Sequence, residues 1–158
     1  MSLIPENIAF RLVEGSLPWE QSTQLEMRDF LRLYTLHDSY WIGLFTECAW
    51  DDSSILVIRF DPVWNATVSQ PTSIVRNWPL LFLRLSCVSS IQLSGFSNNE
   101  GTQRGISDAS VEYLSEEEVV TKINDFYGGS VSLHHFSRVD ALALSENETV
   151  LNLSGTVS

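Results

Sequence analysis

Two apolar runs, Ile42 to Cys48 and Ile55 to Phe60, meet across a short acidic turn at Asp51-Asp52, so the stretch Leu36 to Trp64 reads as a β-hairpin. In the first run Ile42, Leu44 and Cys48 share one parity. In the second, both parities are apolar except for Arg59, as expected of a strand covered on both faces and therefore central to a sheet. Further on, Leu81, Leu83, Leu85 and Cys87 alternate with Arg84 and Ser86, and Ile91 and Leu93 continue the alternation around Gln92. This predicts one long or bent strand over 81–94, with Ser89-Ser90 as the place for a bulge. Val131 to Phe136 reads as a strand, Val111 to Leu114 as a brief one, and Ala141 to Leu144 pairs with Val150 to Leu153 as a closing hairpin.

Helical spacing occurs in two places. Thr23 and Glu26 match a capping box, and Leu25, Phe30, Leu31 and Tyr34 recur at near-helical intervals, which predicts a helix over about Gln24 to Tyr34. Ser115 followed by Glu116, Glu117 and Glu118 repeats the start signal, and Val119, Ile123 and Phe126 line one face before Gly128-Gly129, which predicts a second helix. Ile8 to Val13 fits either a short strand or a helical turn opening at Pro5. The segments 14–19, 65–77 and 97–107 carry the Gly, Pro, Asn and Ser content of loops. The expectation is a single α+β domain over residues 1–158, a mainly antiparallel sheet packed by two helices.

Composition narrows the partners. A chain of 158 residues with 44% hydrophobic content can bury one core. Nine basic against twenty acidic residues give a net charge of −11, which repels phosphate backbones and anionic membranes and leaves a basic protein as the fitting partner. The same charge also serves solubility alone. Cys48 and Cys87 lie in apolar runs, as buried thiols of a reducing compartment do, although a bridge between them stays open. Without a basic segment leading a long apolar stretch, and without a window of about 18 apolar residues, the expectation is a soluble, cytoplasmic chain.

The candidate chemistry is sparse. His37-Asp38 is the only adjacent His-Asp pair and could orient a general base or offer metal ligands; equally, Asp38 could close an Asx-turn with His37 packed beside it. His134 and His135 point to opposite faces of one strand, so only one of them could join His37 and Asp140 in a His/carboxylate centre. No phosphate-cradling, dinucleotide or nucleophile-elbow pattern occurs, so no cofactor is expected. Trp41, Trp50, Trp64 and Trp78 fall near strand ends, where they could stack on a sugar or a peptide or simply pack at the rim of the core.

At LHDSYWIGLFTECAWDDSSILVIRFD, Leu36 to Asp61, the chain resembles small bacterial families in which a Leu/Phe-His-Asp motif leads into a first β-hairpin, several of which include immunity proteins of toxin systems. The resemblance implies an α+β fold with an antiparallel sheet and neutralisation of a toxin by direct binding, with Leu36, His37 and Asp38 as the matching positions. The expected function is therefore protein binding, with His37, Asp38, Trp50, Asp51, Asp52 and Trp64 as the candidate contact residues. The rivals are a small metal-dependent or hydrolytic enzyme using His37 and Asp38 with His134 or His135, and a sugar or peptide binder acting through exposed Trp.

Overall fold

Ile55 to Phe60 is apolar on both parities because each face of its strand is covered by a different layer. The computed structural model describes residues 4–46, 53–62, 65, 72, 74–95 and 104–153. Its elements in chain order are α1 (Glu6–Glu14), β1 (Thr23–Glu26), α2 (Met27–Leu33), β2 (Tyr40–Thr46), β3 (Ser54–Arg59), β4 (Leu80–Leu85), β5 (Ser90–Ser94), β6 (Arg104–Tyr113), β7 (Glu118–Asp125), β8 (Ser130–Phe136), β9 (Arg138–Leu144) and β10 (Val150–Leu151). On one face of β3, Leu56 and Ile58 join Leu81, Leu83, Val139 and Ala141 under Met27 and Phe30 of α2. On the other, Ile55 and Val57 join Leu80, Phe82, Leu142 and Leu144 under Ile8 and Leu12 of α1. Arg59, the one charged residue of the run, is buried on this second face, where Nη1 donates to the Trp78 carbonyl at 2.6 Å. The protein is thus one α+β domain.

All strand pairs are antiparallel, in the order β1-β9-β4-β3-β2-β6-β7-β8-β5, with β10 beside β9. A single register runs through β4-β5 and β8-β9: Leu80 faces Leu144, Leu85 faces Val139, Ser90 faces His134 and Ser94 faces Ser130. Residues 80–94 therefore run in one register as two strands, β4 and β5, joined by a bend at Ser86–Ser89 and not by the bulge expected at Ser89-Ser90, with a second bend opposite at Ser137. The bends carry β5 to β8 over the core, so that Ile106, Ile123, Val131 and Leu133 meet Leu56, Leu83 and α2. Tyr40 pairs with Gly105 and Trp41 with Arg104, joining β2 to β6 and bringing the curled sheet round upon itself.

The bend leaves a local cost in the backbone. Cys87 takes φ 51, a left-handed conformation that disfavours a residue with a Cβ by about 1–2 kcal/mol. Cys87→Gly is expected to raise the unfolding free energy by about 0.5–1 kcal/mol in urea titration, and β-branched Cys87→Val to lower it by at least as much. Equal midpoints for the two variants would place the bend elsewhere.

Two helix expectations are corrected. Thr23–Glu26 is not the first turn of a helix but strand β1, which pairs Thr23 with Ala141 and Glu26 with Arg138, and α2 starts only at Met27. The free edge of β9 captures these four residues, and tertiary pairing outweighs the local cap signal. The expected second helix, beginning at Ser115, is β7, bonded to β6 and β8 and buried at every second residue. Val119 and Ile123 share a face whether the chain is helical or extended, so their spacing does not separate the two periods. The Ser115 cap is real but closes a turn: Oγ accepts from the backbone N–H groups of Glu117 and Glu118 at 3.3 and 3.1 Å. Gly128, at φ 85, then turns β7 into β8. Ile8 to Val13 is resolved as helical, ended by Gly15 at φ 76 with the Ser16 N–H donating to the Arg11 carbonyl at 2.9 Å. β6 takes in Val111 to Tyr113 of the brief strand expected at Val111 to Leu114, and it already begins at Arg104, inside the loop expected over 97–107, because 104–106 pair with β2 and β7. No helix among the described residues is long and apolar enough to cross a membrane.

Candidate binding surface

Leu36 to Ser39 links α2 to β2, and each residue has a separate anchor. Leu36 is buried; Asp38 takes φ 65, and its N–H donates to the Ile106 carbonyl at 2.9 Å. Ile106 returns the bond to the Ser39 carbonyl at 2.8 Å, while the buried Ser39 Oγ accepts from the Asp61 N–H at 2.9 Å. The Leu-His-Asp turn is therefore pinned at the junction of β2 and β6. His37 Nδ1 lies 2.8 Å from the Ser107 carbonyl, an acceptor, so Nδ1 carries the hydrogen and Nε2 faces Asp38 Oδ2 at 3.4 Å. Both side chains are about two-fifths exposed, at 40% and 45%.

The β7-β8 turn completes the surface. Asp125 Oδ1 accepts from the N–H groups of Tyr127 at 2.8 Å and Gly129 at 2.7 Å, an Asx arrangement that fixes the turn. Phe126 donates its N–H to the Gly105 carbonyl and sets its ring edge-on to His37 with centroids 5.8 Å apart. A Cβ at position 105 would stand 3.0 Å from that ring, so glycine is what lets the ring lie over the strand. Phe126 is 52% and Tyr127 65% exposed. One pairing position back along β6 and β7, Asp108 receives the Asn124 amide on both carboxylate oxygens, at 3.2 and 3.1 Å. The result is two exposed aromatic residues side by side in the turn, Phe126 set against His37, which in turn contacts Asp38.

The remaining candidates are not assembled with this pair. His134, half-buried, lies 3.4 Å from Glu118 at the far end of β7, eight residues of extended chain or roughly 25 Å from Phe126. His135 faces inward, fully buried. Its Nδ1 donates to the Phe136 carbonyl at 2.6 Å and its Nε2 accepts from Thr121 Oγ1 at 2.7 Å. Burial is the main cause that pushes its pKa down to about 4. Asp140 is engaged by Arg84 at 2.9 Å, which also stacks over Trp19. The structure thus does not bring His37, Asp140 and either of the other histidines into one centre, and among the described residues no group of three or more His, Cys, Asp or Glu could hold a metal.

The tryptophans divide similarly. Trp78 is 8% exposed, stacked on Tyr40 at 5.5 Å and bonded through Nε1 to the Thr72 carbonyl. Trp41 packs half-buried against the core. Cys87 is half-buried. Trp50, Asp51, Asp52, Trp64 and Cys48 lie outside the described residues, as does most of 65–77; Asn65 itself is buried, clamping Thr35 and Asp61 rather than opening a surface loop.

The chain matches no protein-family model, no curated protein and no solved structure. Phe126 and Tyr127 were not among the residues expected to bind, because a helical reading of 116–126 turns Phe126 toward the core. The available signal was the sequence Asp125-Phe-Tyr-Gly-Gly129, whose glycines also fit a hairpin turn between strands.

Proposed function

We propose that the protein is a binding module for a basic protein, with immunity-like neutralisation of a toxin in the cytoplasm as its concrete form. Phe126 and Tyr127 are the contact centre, and His37, Asp38 and Asp108 are its polar border. The observation that carries the reading is the pair of exposed aromatic rings, held by Asp125 and Gly105, in an acidic setting. Aromatic anchors dominate binding energy when an interface covers them, and surrounding carboxylates steer a cationic partner. His37 of the Leu36-His37-Asp38 motif lies edge-on to the Phe126 ring, and Trp50, Asp51, Asp52 and Trp64 stay within the proposed contact set.

The test is capture from the native lysate followed by binding kinetics with the captured protein. Association is expected to slow several-fold as salt rises from about 0.05 to 0.5 M while dissociation changes less, since screening removes long-range attraction first. Phe126→Ala and Tyr127→Ala are expected to speed dissociation by about tenfold or more. A captured partner with an acidic contact surface, or association indifferent to salt, would remove the basis of the proposal.

A further inference from the structure

Among the described residues, the sheet ends in an exposed strand that no other element pairs on its outer side. All five residues of β5 are exposed, and among the described residues it pairs only with β8. Natural edges are blunted by charge, proline or a covering element. Here no charged residue and no proline occurs from Leu85 to Asn99. Ile91 and Leu93 stand opposite Leu133 and Val131 and share their face, yet Leu133 and Val131 are fully buried whereas Ile91 is 38% and Leu93 63% exposed. The apolar face of the sheet thus continues past the core onto exposed residues. Gly95, at φ 73, anchors the end of this strand: a Cβ there would stand 2.7 Å from the Gly128 carbonyl oxygen.

The occupant that fits is a second copy of the chain. A net charge of −11 sets most of this surface against self-association, but the β5 edge is neutral. The sequence Ser90-Ile91-Gln92-Leu93-Ser94 has the same polar and apolar order read in either direction. An antiparallel pair formed about a two-fold axis at Gln92 places Ser90 opposite Ser94 of the second copy and Ile91 opposite Leu93, apolar against apolar on one face. We propose that β5 pairs with itself in this register, joining two sheets edge to edge through backbone hydrogen bonds and an Ile91-Leu93 strip. A ladder of five residues per copy is a small interface, so the dimer is a weak one, half-formed at about 0.1 mM.

Sedimentation equilibrium over concentrations up to about 1 mM tests this. The unaltered chain is expected to pass from monomer to dimer, and the association should strengthen several-fold as salt rises from about 0.05 to 0.5 M, because screening relieves like-charge repulsion. That is the opposite sign to the salt dependence expected for a basic partner, so the two proposals stand or fall separately. Leu93→Lys should leave a folded monomer. Gln92→Cys, carried with Cys48→Ser and Cys87→Ser, should form a disulfide-linked dimer on mild oxidation, because the axis brings the two introduced thiols face to face. A monomer throughout the concentration range, a dimer that persists in Leu93→Lys, or a Gln92→Cys variant that does not cross-link at concentrations where dimer is present would overturn the proposal.

Discussion

Ile58→Asp is expected to yield no cooperatively folded protein, whereas Ile58→Val loses only about 1 kcal/mol. Ile58 is fully buried, with Trp41 of β2 on one side, Leu81 of β4 on the other, and Phe30 and Phe60 in the same core. A carboxylate there has neither water nor a cation, and even after taking up a proton it leaves buried polar atoms among hydrocarbon. The cost is several kcal/mol against a total stability of about 5–15. Thermal melting followed by circular dichroism separates the variants: the valine form should melt sharply a few degrees early, the aspartate form should show no transition. If both melt alike, β3 is not the strand covered on both faces.

That prediction rests on the part of the fold most legible in the sequence. Apolar residues on both parities of 55–60 announced a central strand, and continuous alternation over 81–94 announced the bent strand that carries the sheet around the core. Arg59 was the apparent exception within β3, and the structure buries it against the Trp78 carbonyl rather than leaving it to solvent. What failed was the separation of helix from strand where the two periods coincide. Val119 and Ile123 are four residues apart, a helical spacing and an even one, and the Ser115 hydroxyl bonds the following N–H groups in a turn much as it would at a helix start. Thr23–Glu26 failed for a different reason, since the free edge of β9 is a partner invisible to any local window.

The candidate site was legible only in part, and the reason is the same misread period. His37 and Asp38 were identified as a pair, and the structure keeps them in contact. Their neighbours come from β6 and the β7-β8 turn, roughly seventy to ninety residues away, and a helix over 116–126 places Phe126 wrongly. Once 118–125 is extended, Asp125 is freed to shape the turn, and Phe126 passes from a supposed core face to the surface next to the exposed Tyr127. His134 and His135, by contrast, were correctly expected to diverge, because adjacent residues of a strand cannot share a face.

The divergence has a thermodynamic consequence that can be measured. His135 is buried in its neutral form, with Nδ1 donating to the Phe136 carbonyl and Nε2 accepting from Thr121, so neither nitrogen can take a proton without losing a bond or leaving a charge in the core. Its pKa in the folded chain falls from 6.5 to about 4, chiefly through burial, with the neighbouring His134 contributing in the same direction. As pH drops below about 6.5, the unfolded chain binds a proton that the folded chain refuses, so stability falls until about pH 4, where the folded form titrates as well. The gap corresponds to about 3 kcal/mol. Glu26, held low first by the Tyr113 hydroxyl, and Glu148, held low first by Arg11, also favour the folded chain above their ordinary range and lose that contribution as pH falls. A comparison with His135→Gln isolates the histidine. In urea titrations at pH 7.5 and 4.5 the variant should be the less stable protein at the higher pH, for want of the imidazole's packing and its bond to Thr121. It should nonetheless lose about 2 kcal/mol or more less than the unaltered chain between the two values. Parallel pH profiles for the two proteins would mean that His135 takes its proton freely in the fold, and the inward-facing assignment of β8 would have to be given up.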